Sequence, residues 1–99
     1  MPSRFKLIPA VFLILARNNK ILLLRRFNTG WEDGNYTLVS GHLNGDESAT
    51  VAICREAKEE ADLIINPNDL EIVHVMHRKT DSVENERIDF YQQFTFHLT

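Results

Sequence analysis

Three glutamates, Glu56, Glu59 and Glu60, stand three and four residues apart in a segment that reads as an α-helix. At those spacings they share one helix face. Like charges there repel by a few tenths of a kcal/mol per pair. Arg55 and Lys58 flank them and are expected to point elsewhere around the helix. A solvated face usually interleaves both signs. A one-sided acidic cluster makes chemical sense when a hard cation neutralises it, and Mg²⁺ and Mn²⁺ favour such oxygen donors. Taken alone, three glutamates are more often a charged surface helix than a metal site.

The wider spacing shifts that balance. Gly41 is followed after five residues by Glu47, and after seven more by Arg55-Glu56-Ala57-Lys58-Glu59-Glu60-Ala61-Asp62-Leu63. This resembles the Nudix box: Gly, five residues, Glu, seven residues, Arg-Glu, an aliphatic, any residue, Glu-Glu, any residue, Gly, an aliphatic. Only Asp62 departs from the fixed positions, standing where the pattern has glycine. A chance match of this quality is on the order of one in ten thousand or rarer at ordinary residue frequencies. Tyr36 to His42 looks like the strand that leads into the box, and the likeness extends over nearly the whole chain. His42 stands where many members of the family have a second glycine.

The resemblance implies an α/β (α+β) fold, an α/β/α sandwich around a mixed β-sheet. It implies hydrolysis of a pyrophosphate bond in a nucleoside diphosphate linked to another moiety, with Mg²⁺ as cofactor and Mn²⁺ as a substitute. Glu59 and Glu60 match the paired metal-binding glutamates. Glu56 matches a position that binds metal or serves as general base. The backbone near Ser40 and Gly41 is expected to offer the metal a carbonyl. Glu47 and Arg55 match a structural ion pair. Metal ions suit this chemistry because they neutralise pyrophosphate and acidify the attacking water, while a nearby carboxylate takes the proton. The box does not choose among nucleoside triphosphates, ADP-ribose or other nucleotide sugars, and dinucleoside polyphosphates. Two other readings remain: a non-catalytic nucleotide-sensing domain of the same fold, and a different chemistry on it such as isoprenoid isomerisation.

The elements that must position these residues follow from apolar patterning. Ile8 to Ala16 and Ile21 to Leu24 flank Asn18-Asn19, which predicts a β-hairpin. Asn28 to Asn35 has loop composition. Tyr36 to Val39 reads as a strand, Gly41 to Glu47 as a loop, and Ser48 to Ala61 as a helix with Ser48 as N-cap. Asp62 is among the few residues besides glycine that visit the left-handed region, so a weakened helix end is expected. Pro67 stops anything before it. Leu70 to His77 and Ile88 to Leu98 are strands around a polar loop, Arg78 to Glu86.

Arg25, Arg26 and Arg87 are candidates for contacts with substrate phosphates, as is Arg78, and each is equally well an ordinary charged strand end. Trp31 and Tyr36 have rings that could stack on a base or pack in a lid. His42, His74, His77 and His97 share no zinc-ligand spacing. Cys54 reads as a small buried hydrophobe.

Composition bounds the rest. One domain spans residues 1–99, with hydrophobic residues at 43% and charged residues at 25%. A net charge of -3 gives no basic footprint for duplex nucleic acid and no polybasic patch for a membrane. A single cysteine fits a reducing, cytoplasmic setting. The last strand runs to the end of the chain. The expectation is therefore a domain short at its C-terminus, with the second covering helix missing, and a homodimer or a longer parent chain.

Overall fold

The longest apolar run becomes the central strand. In the computed structural model, which describes residues 4–25, 34, 36–79, 81 and 85–95, β1 covers Ile8–Arg17. It turns at Asn18 and Asn19, with φ of 50° and 63°, into β2, Lys20–Leu22. Two consecutive positive φ angles are what a two-residue hairpin turn needs, and asparagine tolerates them. Then come β3, Leu24–Arg25, β4, Tyr36–Thr37, and β5, Val39–His42. Helix α1 covers Ala49–Ala61. A 3-10 turn, Pro67–Asp69, leads to β6, Glu71–Arg78, and β7, Arg87–Thr95, follows.

The sheet is mixed. Its order is β2-β1-β7-β6, with β5 also paired to β1. Strand β1 runs parallel to β7 and antiparallel to β2 and β5, and β6 runs antiparallel to β7. Strands β3 and β4 form a separate ladder. This is the expected α+β class, with one α-helix among the described residues.

Several boundaries differ from the sequence reading. Gly41 and His42 belong to β5 and not to a loop, because Val11 and Ala10 of β1 pair with them. Leu23 and Leu38 break strands expected to be continuous. Arg78 closes β6 instead of opening the loop, and residues 96–99 lie outside the described residues.

Alternation along β1 sorts its side chains onto two faces. Val11, Leu13 and Leu15 face α1 and join Val39, Ala52, Ile53 and Ala57 in one buried cluster. Alanine at 52 and 57 lets the helix approach the sheet closely. Gln92 of β7 is fully buried on this face. Its Oε1 accepts from Thr50 Oγ1 at 2.9 Å, and its Nε2 donates to the Ala49 carbonyl at 3.0 Å. A buried amide satisfied on both sides pins the first helical turn to the sheet without leaving an orphaned polar group.

The helix ends are set locally. Ser48 Oγ accepts from the Val51 N–H at 3.1 Å. Asp62 takes the left-handed conformation, φ 52° and ψ 34°; its N–H donates to the Lys58 carbonyl and the Leu63 N–H to the Ala57 carbonyl, each at 3.1 Å. No helix among the described residues is long and apolar enough to cross a membrane.

Candidate active site

Strand β5 carries Ser40 and Gly41 alongside the C-terminal half of α1. The loop between them is tied by its own glutamate: Glu47 Oε1 accepts from the Asn44 N–H at 2.7 Å. Arg55 reaches back from α1 and grips the same carboxylate with two prongs, Nε to Oε2 at 3.2 Å and Nη2 to Oε1 at 2.9 Å. Nη2 also donates to the His42 carbonyl at 3.2 Å. Nη1 donates to Glu56 at 2.7 Å and, at 3.5 Å, to Glu59. Arg55 therefore points into the acidic face, not away from it as its place in the sequence suggested. The Arg55 fork, helped by the Asn44 N–H, holds the Glu47 carboxyl below its ordinary pKa. Glu47 and then Glu56 push the Arg55 guanidinium further toward its charged form.

The three glutamates occupy different surroundings. Glu56 is mostly covered, 14% exposed, and lies directly over Gly41. A Cβ at position 41 would sit 2.7 Å from Glu56 Cγ and closer still to its carboxylate. A larger residue here would have to displace the Glu56 side chain. Glu60 Oε2 accepts from the Ser40 N–H at 3.2 Å. Glu59 stands out at 58% exposure. Glu56 and Glu60 thus converge on the two β5 residues expected to offer backbone carbonyls. Among the described residues, no three His, Cys, Asp or Glu side chains are drawn together into a ready metal-holding group. The donors are of the right type for a hard cation, but they now answer Arg55 and Ser40. Holding a metal requires their side chains to turn.

Beyond β5 opens a cleft of about 270 Å³, with Phe12, Ser40, Gly41, His42, Arg78 and Arg87 in its walls. Arg78 and Arg87 are directly opposite each other on β6 and β7, where like charges destabilise an antiparallel pair. Asp89, two residues along β7, is fully buried and ion-paired to Arg78. Nη2 of Arg78 donates to Asp89 Oδ1 at 3.3 Å.

The NUDIX domain model matches residues 6–97. The chain belongs to the NUDIX family. No curated protein sequence matches it. Its fold is shared by a MutT/nudix family protein from Enterococcus faecalis, at 23% identity and TM-score 0.78, over 96% of this chain and 39% of that one. A bifunctional NMN adenylyltransferase/ADP ribose pyrophosphatase from Francisella tularensis, complexed with AMP and Mn ion, aligns at 22% identity and TM-score 0.72, over 96% of this chain and 29% of that one. The NUDIX domain of Shewanella oneidensis NrtR, complexed with ADP ribose, aligns at 17% and 0.70, over 95% and 63%. The chain thus spans less than two thirds of the length of these relatives.

Within this NUDIX domain the remaining candidates separate. Arg87 lines the cleft. Arg25 ends β3, its backbone paired with Tyr36. Arg26, Trp31 and His97 lie outside the described residues. Tyr36 is 67% exposed. His74 lies against Tyr91, and His77 meets Glu86 at 2.6 Å. Cys54 is half-buried, and burial pushes its thiol pKa up. Sequence reasoning missed Gln92 and Asp89. Polar residues among strand formers, Asp89 alone and Gln92 beside Gln93, gave a signal for each, but nothing in the sequence said which face it served.

Proposed function

We propose that this NUDIX domain hydrolyses a pyrophosphate bond in a nucleoside diphosphate linked to a further moiety. The observation that carries the reading is the convergence of Glu56 and Glu60 on Ser40 and Gly41, at the edge of a cleft walled by two arginines. Glu56, Glu59 and Glu60, with carbonyl oxygens near Ser40 and Gly41, would hold Mg²⁺ or Mn²⁺. That ion supplies charge neutralisation on the pyrophosphate and a more acidic water. Glu56, or another of the three glutamates, would accept the proton as water attacks phosphorus and the P–O–P bond breaks, the leaving phosphate carrying away the bridging oxygen. Arg55 and Glu47 keep the loop and helix in register. Arg87 would contact substrate phosphate from the cleft wall, and Arg25 and Arg26 belong to the same side of the proposal. The substrate is a small nucleotide conjugate, as the AMP and ADP ribose in the Francisella and Shewanella proteins suggest. Duplex nucleic acid and membrane are not expected partners, and the setting is the cytoplasm.

The test is phosphate release from a panel of nucleoside triphosphates, nucleotide sugars and dinucleoside polyphosphates, with Mg²⁺, with Mn²⁺ and with EDTA. Coupled phosphatase and pyrophosphatase reveal the products. Metal-dependent turnover of one member names the substrate. Saturable binding of a panel nucleotide without turnover, here and in a C-terminally extended chain, moves the reading to a nucleotide-sensing domain.

A further inference from the structure

The cross-strand pair Arg78 and Arg87 is a local conflict. Two cations face each other on neighbouring strands, on the sheet face turned away from α1. Strands tolerate such a pair when something negative lies between or in front of it. One negative group is built in. Asp89 is 0% exposed, and its carboxylate meets the Arg78 fork. The Nε–Oδ2 contact is an ion pair out of line for a hydrogen bond, since neither atom has a hydrogen-bond partner. Asp89 therefore fixes Arg78 by charge and by one Nη2 bond, and uses up only part of the guanidinium. Among the described residues, the Nη1 donors of Arg78 meet no protein acceptor, and the Arg87 side chain makes no hydrogen bond or ion pair. Both arginines line the cleft that Ser40 and Gly41 also border.

We infer that Arg78 and Arg87 form a two-pronged grip for a phosphate or pyrophosphate group of the ligand, with Asp89 as the positioning residue that holds Arg78 on the cleft wall. Among the described residues, two guanidiniums against one carboxylate give this wall a net charge of +1, and planar N–H forks suit phosphate oxygens. A purely structural Arg78–Asp89 pair needs no second arginine opposite it. The inference rests on the proposed function only in taking this cleft as the substrate cleft. Anion binding by the two arginines needs neither metal nor turnover.

The experiment is calorimetric titration of the full chain with inorganic pyrophosphate in EDTA. Wild type, Glu59→Gln, Asp89→Asn and the double variant Arg78→Gln with Asp89→Asn are compared. The double variant replaces the Arg78–Asp89 ion pair, of which only the carboxylate is buried, with a neutral amide pair; the fold should be kept while the charge grip is removed, and an unchanged circular dichroism spectrum checks this. Wild type and Glu59→Gln should bind alike, and the double variant should bind about tenfold more weakly. Asp89→Asn should weaken binding about threefold although it makes the wall more positive; simple charge counting predicts the reverse. No pyrophosphate binding by wild type, binding by the double variant within about twofold of wild type, or tighter binding by Asp89→Asn overturns the inference. Pyrophosphate binding without turnover of any panel member leaves this inference standing and removes the hydrolase reading. Turnover with pyrophosphate affinity insensitive to Arg78 does the opposite.

Discussion

Two arginines meet carboxylates in this molecule, and they do so in opposite ways. Arg55 spends all its donor directions on the protein: both oxygens of Glu47, the His42 carbonyl, Glu56 and Glu59. Among the described residues, Arg78 meets one carboxylate, that of Asp89, and faces another arginine. The first arrangement is closed. It joins loop, strand and helix, and it leaves no charge to offer a ligand. The second is open, because its positive charge exceeds what the described residues supply to balance it. Saturation of donors, more than residue type, separates an arginine that builds a site from one that can serve it.

Substitutions can break this contrast. The largest effect is expected at the acids beside the closed arginine. Glu59→Gln should lower turnover at least about 100-fold with the fold intact; steady-state kinetics near wild type would remove the assigned role. Gly41→Ala forces a methyl group into Glu56 and should cost turnover on the order of tenfold, read as a fall in kcat with the thermal midpoint nearly kept. Arg78→Ala leaves Asp89 buried without its cation. Arg78 itself is 40% exposed, so water eases the loss, and urea unfolding should show destabilisation of about 2 kcal/mol. Removing Asp89's charge in the same chain should return most of it.

The smallest effect concerns pH. Glu47 has a depressed pKa in the folded state, caused first by Arg55. Its contribution is present above the ordinary value of 4.5 and is lost as pH falls through the lower folded value. Glu47→Gln should therefore flatten the acid limb of the stability curve and leave its alkaline side unchanged in shape. A limb of unchanged steepness in thermal melts across acid pH would place the linkage elsewhere.

The acidic helix was legible because its chemistry lies in one contiguous stretch. Helical periodicity puts Glu56, Glu59 and Glu60 together whatever the sheet does, and Ser48 and Asp62 mark the ends by local geometry alone. The hairpin was legible for the same reason, since Asn18-Asn19 decides it. The engagement of Arg55 with Glu56 and Glu59 was not, because a side chain that long can reach back across the helix. Nor was the Arg78–Asp89 pair. A bulge between Ile72 and His74 shifts the register of β6 against β7, so period-two counting assigns the rest of the strand to the wrong face. It is this shift that puts His74 and Arg78 on the face of Tyr91 and Asp89. Gly41 and His42 read as loop because glycine and a polar residue give no strand pattern. Pairing with β1 overrides that local preference.

The parallel ladder between β1 and β7 has a kinetic consequence. It joins strands from opposite ends of the described chain along nine residue pairs, Ile8↔Arg87 to Ala16↔Thr95. The hairpin and α1 can form early from neighbouring residues. The centre of the sheet cannot close until β7 has been synthesised. During translation β1 must wait with its apolar residues partly unpaired, and this topology predicts slow folding and an aggregation-prone interval on the ribosome.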